Sequence, residues 1–132
     1  MSPLKTTALA AVLALVALAP PATARERPLE TYYASLSGWD HIDGRGRRLT
    51  SVSDILRQDR ANYHHRNLRD PSDIGDKYFR KEVNRRRIPA LLAAGGMDDR
   101  TAQIILTARP RVRVDRYADR MEVTVESDAR LR

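Results

Sequence analysis

The spacing of apolar residues divides the chain into an apolar leader, a helical middle and a strand-forming end. From Ala8 to Ala19 twelve residues run without a polar one. Further on, Val52, Ile55, Leu56 and Tyr63 fall near one helical face, with Ser51 placed to cap and Asp54 three residues later to complete a box-like start, which predicts a helix from Val52 to His64. Asp70-Pro71 offers an N-cap aspartate and an N1 proline for a second helix over Asp73 to Asn84, with Gly75 its weak point. Pro89 ends or kinks any helix entering from Arg87. Ala90 to Ala94 is strongly helical, with Gly95 as a left-handed cap. Asp98 caps a helix to about Ala108, with Met97 stapled on Ala102 and Arg109-Pro110 as the stop.

The period then changes from a helical one to two. Val112 and Val114 alternate with charged residues, as do Met121, Val123 and Val125, which predicts two strands joined across Arg116 to Arg120 by a loop of about three to five residues. Arginine and glutamate are expected to oppose each other on the outward face of this pair. Nearer the start, Tyr32 to Trp39 suits either a helix or a strand, and a further strand is expected over Leu36 to Ile42. Gly38, Gly44 and Gly46 follow, with Asp43-Gly44 marking a turn. The fold class these elements imply is α+β: a small single domain over residues 32–126, three to four helices with a C-terminal antiparallel β-hairpin. A flexible leader, residues 25–31, precedes it and a tail, residues 127–132, follows.

The leader changes the picture of where such a domain works. Lys5, the apolar run, Pro20-Pro21 and the small residues Ala22 and Ala24 form the order of a secretory signal peptide, residues 1–24, with cleavage expected after Ala24. Twelve apolar residues fall short of the roughly 20 that span a bilayer as a helix, so no permanent membrane anchor is expected. The expectation is an exported protein, periplasmic or secreted, running from Arg25 to Arg132. There is no cysteine, so neither a disulfide nor a lipidated cysteine can stabilise or tether it. Stability then rests on packing, to which Trp39, Phe79 and five tyrosines contribute.

Charge brings in candidate partners. The chain carries a formal +7, with 21 arginines against three lysines, clustered at Arg45 to Arg48, Arg80-Lys81, Arg85 to Arg87 and Arg109 to Arg120. Guanidinium groups bind phosphate and carboxylate through paired hydrogen bonds, so an anionic polymer, a lipid headgroup or an acidic protein is the expected partner, held by Arg85, Arg86, Arg87, Arg111, Arg113 and Arg116. The plainer alternative is that the 17 acidic residues pair with these arginines on a solvated surface. The functional expectation is a non-enzymatic binding or accessory module.

Candidate chemistry narrows to proton transfer. His64 and His65 are adjacent and diverge by about 100° on a helix, so they do not form a metal-binding pair. Asp40-His41-Ile42-Asp43-Gly44 lacks the remaining ligands of a calcium loop and reads as a polar turn. There is no nucleophile elbow, thiol or phosphate-cradling glycine loop. No catalytic residue, metal or cofactor is assigned. One enzymatic alternative stands, a secreted metal-independent nuclease or other small hydrolase. It needs His41 or His65 to meet an acid, such as Asp43 or Asp59, and an arginine within one cleft. The order helix, helix, turn, helix, hairpin also has the outline of a winged helix with arginines on its wing. Nucleic acid is nonetheless a disfavoured partner, because an exported chain rarely meets chromosomal DNA.

Overall fold

The computed structural model describes residues 24–126 continuously, with Pro3, Ala19 and Pro21 before them. The signal-peptide reading, including Ala22, and the tail at 127–132 lie outside the described residues. Ala24 is exposed. The elements run β1 (Glu30–Ser35), a 3-10 turn (Gly38–His41), α1 (Val52–His64), a second 3-10 turn (Tyr78–Arg80), α2 (Glu82–Arg85), α3 (Ile88–Ala94), α4 (Asp99–Thr107), β2 (Arg111–Arg116) and β3 (Met121–Val125). This is a small α+β domain. Among the described residues no helix is long and apolar enough to cross a membrane.

The three strands form one antiparallel sheet in the order β1-β2-β3. Its register aligns Tyr32 with Val114 and Val123, and Ala34 with Val112 and Val125. Side chains alternate across a strand, so this alignment puts the apolar set on one face, against Ile55, Leu56, Phe79, Ile88, Leu91 and Ile105. The ambiguous segment at Tyr32 is thus a strand, and the strand expected over Leu36 to Ile42 is corrected to a 3-10 turn. There Ser37 donates its N–H to Asp40 at 2.8 Å, closing the chain into a tight turn rather than leaving it extended. Tyr32 and Tyr33, as strand neighbours, take opposite faces: Tyr32 is buried and Tyr33 lies under the Arg111 guanidinium, 4.8 Å from the ring centre.

Helix α1 matches its expected bounds. Ser51 accepts from the Asp54 N–H, and Asn67, at φ +55°, turns the chain away beyond the other end, a conformation asparagine tolerates. The helix expected over Asp73 to Asn84 is corrected. Ile74 instead pairs with Tyr33 in both directions, at 2.9 and 3.0 Å, covering the β1 edge. Asp73 accepts from the Ser35 and Asp70 N–H groups, and Asp76 from that of Phe79. These short acidic side chains offer the backbone non-helical partners, and a helix resumes only at α2.

Two further findings concern glycine and charge. Gly95 has φ −98°, so it is not the left-handed cap; Gly96 is the residue with positive φ, +130°. Across the hairpin the expected opposition of arginine and glutamate is met at Arg111 and Glu126, which form an ion pair, whereas Asp115 opposes Glu122. Their repulsion is met from the sides: Thr31 donates to Asp115 at 2.6 Å, Arg113 bonds Asp115 from its own strand, and Arg120 reaches Glu122. The other elements follow the sequence. Asp98 caps α4 through the Thr101 N–H, and four residues, Tyr117 to Arg120, join β2 to β3. Asp43 makes a polar turn, accepting from Arg45 and Arg47.

Candidate functional site

Helix α1 carries charged residues on two sides with different fates. Arg57, Ala61 and His65 stand four apart and so share one stripe. That stripe faces α2, where Glu82, Arg85 and Arg86 present a second set at spacings of three and four. The six residues line a cleft of about 450 Å³. Among the described residues, three arginines and one histidine line it beside a single carboxylate. Arg57 and Arg86 form the exposed walls, with side chains 49% and 66% exposed. Arg85 is buried at the cleft's inner side, its Nη1 donating to the Phe79 and Arg80 carbonyls at 3.0 and 2.9 Å. Glu82 accepts from Arg86 at 2.8 Å, and that hydrogen bond and charge hold its carboxyl below the usual range.

On its inward side α1 holds a buried ionic network. Arg60, with no exposed side-chain surface, donates to Asp59 at 2.7 Å and to Asp76 at 2.8 Å, and its guanidinium lies over the Tyr32 and Tyr63 rings. His64 reaches the same Asp76 oxygen at 2.8 Å. Burial pushes His64 below its ordinary value, the Asp76 contact opposing this only in part. For Asp76 burial acts upward, but Arg60, His64 and the Phe79 N–H outweigh it and hold the carboxyl low. Asn62, on the same helix, makes a separate set of bonds, donating to Asp40 at 2.8 Å and accepting from Gln58 at 2.9 Å. Asp59, Arg60, Asn62 and Asp76 are buried, so their role is to fix the packing of α1.

Asp59 makes that packing pH-dependent. Burial pushes its carboxyl up to about 7, with Arg60 opposing, whereas an unfolded aspartate titrates near about 3.9. Between these values the folded protein holds a proton that the unfolded chain has lost, so stability falls as pH rises through the window. From about pH 5 to about pH 8 the melting temperature of Asp59→Asn should therefore rise relative to the parent by several degrees. Thermal melts of both proteins check this; a difference that does not change with pH overturns it.

The six arginines singled out from sequence fall in three places. Arg85 and Arg86 line the cleft. Arg87 and Arg116 converge instead on Tyr78, 5.8 and 3.9 Å from its ring centre, with Arg87 also bonding its hydroxyl. Arg111 and Arg113 lie on the outward sheet face, bonded to Glu126 and Asp115. Because β2 is paired on both sides, these two stand on a sheet and not on a projecting wing.

The histidines separate as clearly. His41 is buried, its two ring nitrogens each 2.8 Å from a backbone carbonyl, of Ser37 and of Ile105, so it ties the first 3-10 turn to the end of α4. His65, exposed, lines the α1–α2 cleft beside an acid and arginines. The acid is Glu82, not Asp43 in its exposed turn or Asp59 in the core. No family model, curated protein or solved structure matches the chain. The cleft is therefore read from its own chemistry. Arg57, His65 and Glu82 were not singled out as binding residues from sequence; the signal for them is the spacing of four that links Arg57 to Ala61 and His65, and Glu82 to Arg86.

Proposed function

We propose that the chain is an exported anion-binding module whose ligand, a phosphate-bearing component of the cell envelope, sits in the cleft between α1 and α2. The observation that carries the reading is the convergence of Arg57, Arg85, Arg86 and His65 on one concave site in which Glu82 is the only acid among the described residues. Phosphate is favoured over carboxylate by shape. Its tetrahedral oxygens reach guanidinium groups on both walls, whereas a planar carboxylate engages one side chain, as Glu82 does through a single bond from Arg86. Export rests on the leader pattern alone.

Calorimetric titration of the purified protein with inorganic pyrophosphate tests the site. Arg57→Ala and Arg86→Ala should each weaken binding about tenfold, and added salt should weaken it further. Arg113→Ala, on the outward sheet face, should leave affinity unchanged. Absent binding, or equal loss in all three variants, overturns the cleft as the site. Tighter binding to polyglutamate than to pyrophosphate would replace the phosphate ligand with an acidic protein.

A further inference from the structure

We propose that the α1–α2 cleft cleaves RNA, with Glu82 as the base, His65 as the acid and Arg57, Arg85 and Arg86 holding the phosphate. This rests on the anion-binding reading of the cleft and makes a ribonucleotide phosphodiester, in place of an envelope component, the phosphate it takes. The argument begins with what the cleft can supply, which is proton transfer and fixed positive charge. Those suffice for internal transesterification of a ribonucleotide phosphodiester, because the substrate brings its own nucleophile in the 2′-hydroxyl. The 2′-oxygen forms a bond to phosphorus as the bond from phosphorus to the 5′-oxygen breaks. The hydroxyl proton passes to the Glu82 carboxylate, and the departing 5′-oxygen takes a proton from imidazolium His65. The products are a 2′,3′-cyclic phosphate and a 5′-hydroxyl, and proton exchange with water restores both side chains.

The ion pair already in the cleft gives this chemistry a trigger. At rest Glu82 is bonded to Arg86, which makes it a poor base. A bound phosphate takes the Arg86 fork for itself, and the carboxylate regains its basicity at the moment the substrate is in place. Arg85 is fixed by two backbone carbonyls, so its charge needs no reorganisation as negative charge gathers on the phosphoryl oxygens. Arg57, reaching in from the facing helix, completes the set. Two helices of different origin thus bring the acid, the base and the cations to one place, while the other two histidines are engaged elsewhere, His41 with carbonyls and His64 with Asp76.

The test uses the whole protein and a fluorophore-quencher oligodeoxynucleotide containing one ribonucleotide, with chelator present and an all-deoxy oligonucleotide as control. Cleavage is expected at the ribonucleotide alone, leaving a cyclic phosphate. His65→Ala and Glu82→Gln should each reduce the rate by about a hundredfold or more. Glu82→Gln should still bind pyrophosphate at least as tightly as the parent, because a competing carboxylate is gone. Matching thermal melts exclude misfolding of either variant. Cleavage that persists in both variants, or no cleavage above the protein-free control, overturns the proposal. If pyrophosphate binds but RNA is not cut, catalysis fails while the binding reading stands; if pyrophosphate does not bind either, both fall.

Discussion

Replacing Arg60 by methionine is expected to destabilise the domain by about 3–5 kcal/mol, the cost of removing one partner from a buried ion pair. Methionine has a similar reach and fills the space between Tyr32 and Tyr63, so little of the loss comes from packing. The loss comes from Asp59 and Asp76, which both rely on the one guanidinium. Asp59 can take up a proton readily, its carboxyl being already pushed up to about 7. Asp76 cannot do so without weakening its acceptance from His64 and the Phe79 N–H. Adding Asp59→Asn to Arg60→Met should therefore cost less than the two single changes together, with a coupling of about 1–3 kcal/mol. Urea denaturation of the four proteins measures both quantities. An Arg60→Met loss under about 1 kcal/mol would show that water reaches the carboxylates at little cost.

Gly95→Ala is expected to cost about 2–3 kcal/mol, a large effect for one methyl group. An added Cβ would stand 2.1 Å from the Met121 carbonyl oxygen and 2.8 Å from its carbon. Both are backbone atoms of β3. The segment cannot move aside freely, because Gly96 donates to that same Met121 oxygen and accepts from the Val123 N–H, each at 3.1 Å. The methyl must therefore break the junction of α3 with the sheet or displace the strand. Gly44→Ala is the matched control, since nothing lies within 4 Å of its added Cβ, and its melting temperature should stay within experimental error of the parent. Equal stability of the two variants would overturn the steric account.

Where local chemistry decides structure, the sequence is legible. Ser51 and Asp98 each bring a side-chain acceptor to a helix start, and both helices begin where those residues stand. The alternation around Val112 and Val123 has one physical solution, a half-buried strand. Elsewhere the deciding partner is distant. Asp70-Pro71 looks like a helix start until Asp73 finds the Ser35 N–H and Ile74 finds the edge of β1, contacts no local pattern encodes. Gly95 looks like a left-handed cap; it does close α3, but with negative φ, and the absence of a side chain there answers to Met121, far along the chain, which occupies the space one would need. The cleft divides in the same way. Arg85 and Arg86 stand out as a charged run, whereas their association with Arg57 and His65 depends on how α1 and α2 meet, and Arg87 is diverted to Tyr78 by the turn of a short helix.

The sheet is built from opposite ends of the chain: β1 comes first, while its neighbour β2 is the central strand and comes almost last. Thr31 and Asp115, 84 positions apart, share a hydrogen bond within it. The first strand therefore has no main-chain neighbour of its own sheet until the final segment arrives, and closing so long a loop precedes any reward from the core. A chain emerging from its N-terminus must wait for its end before it can acquire a fixed interior.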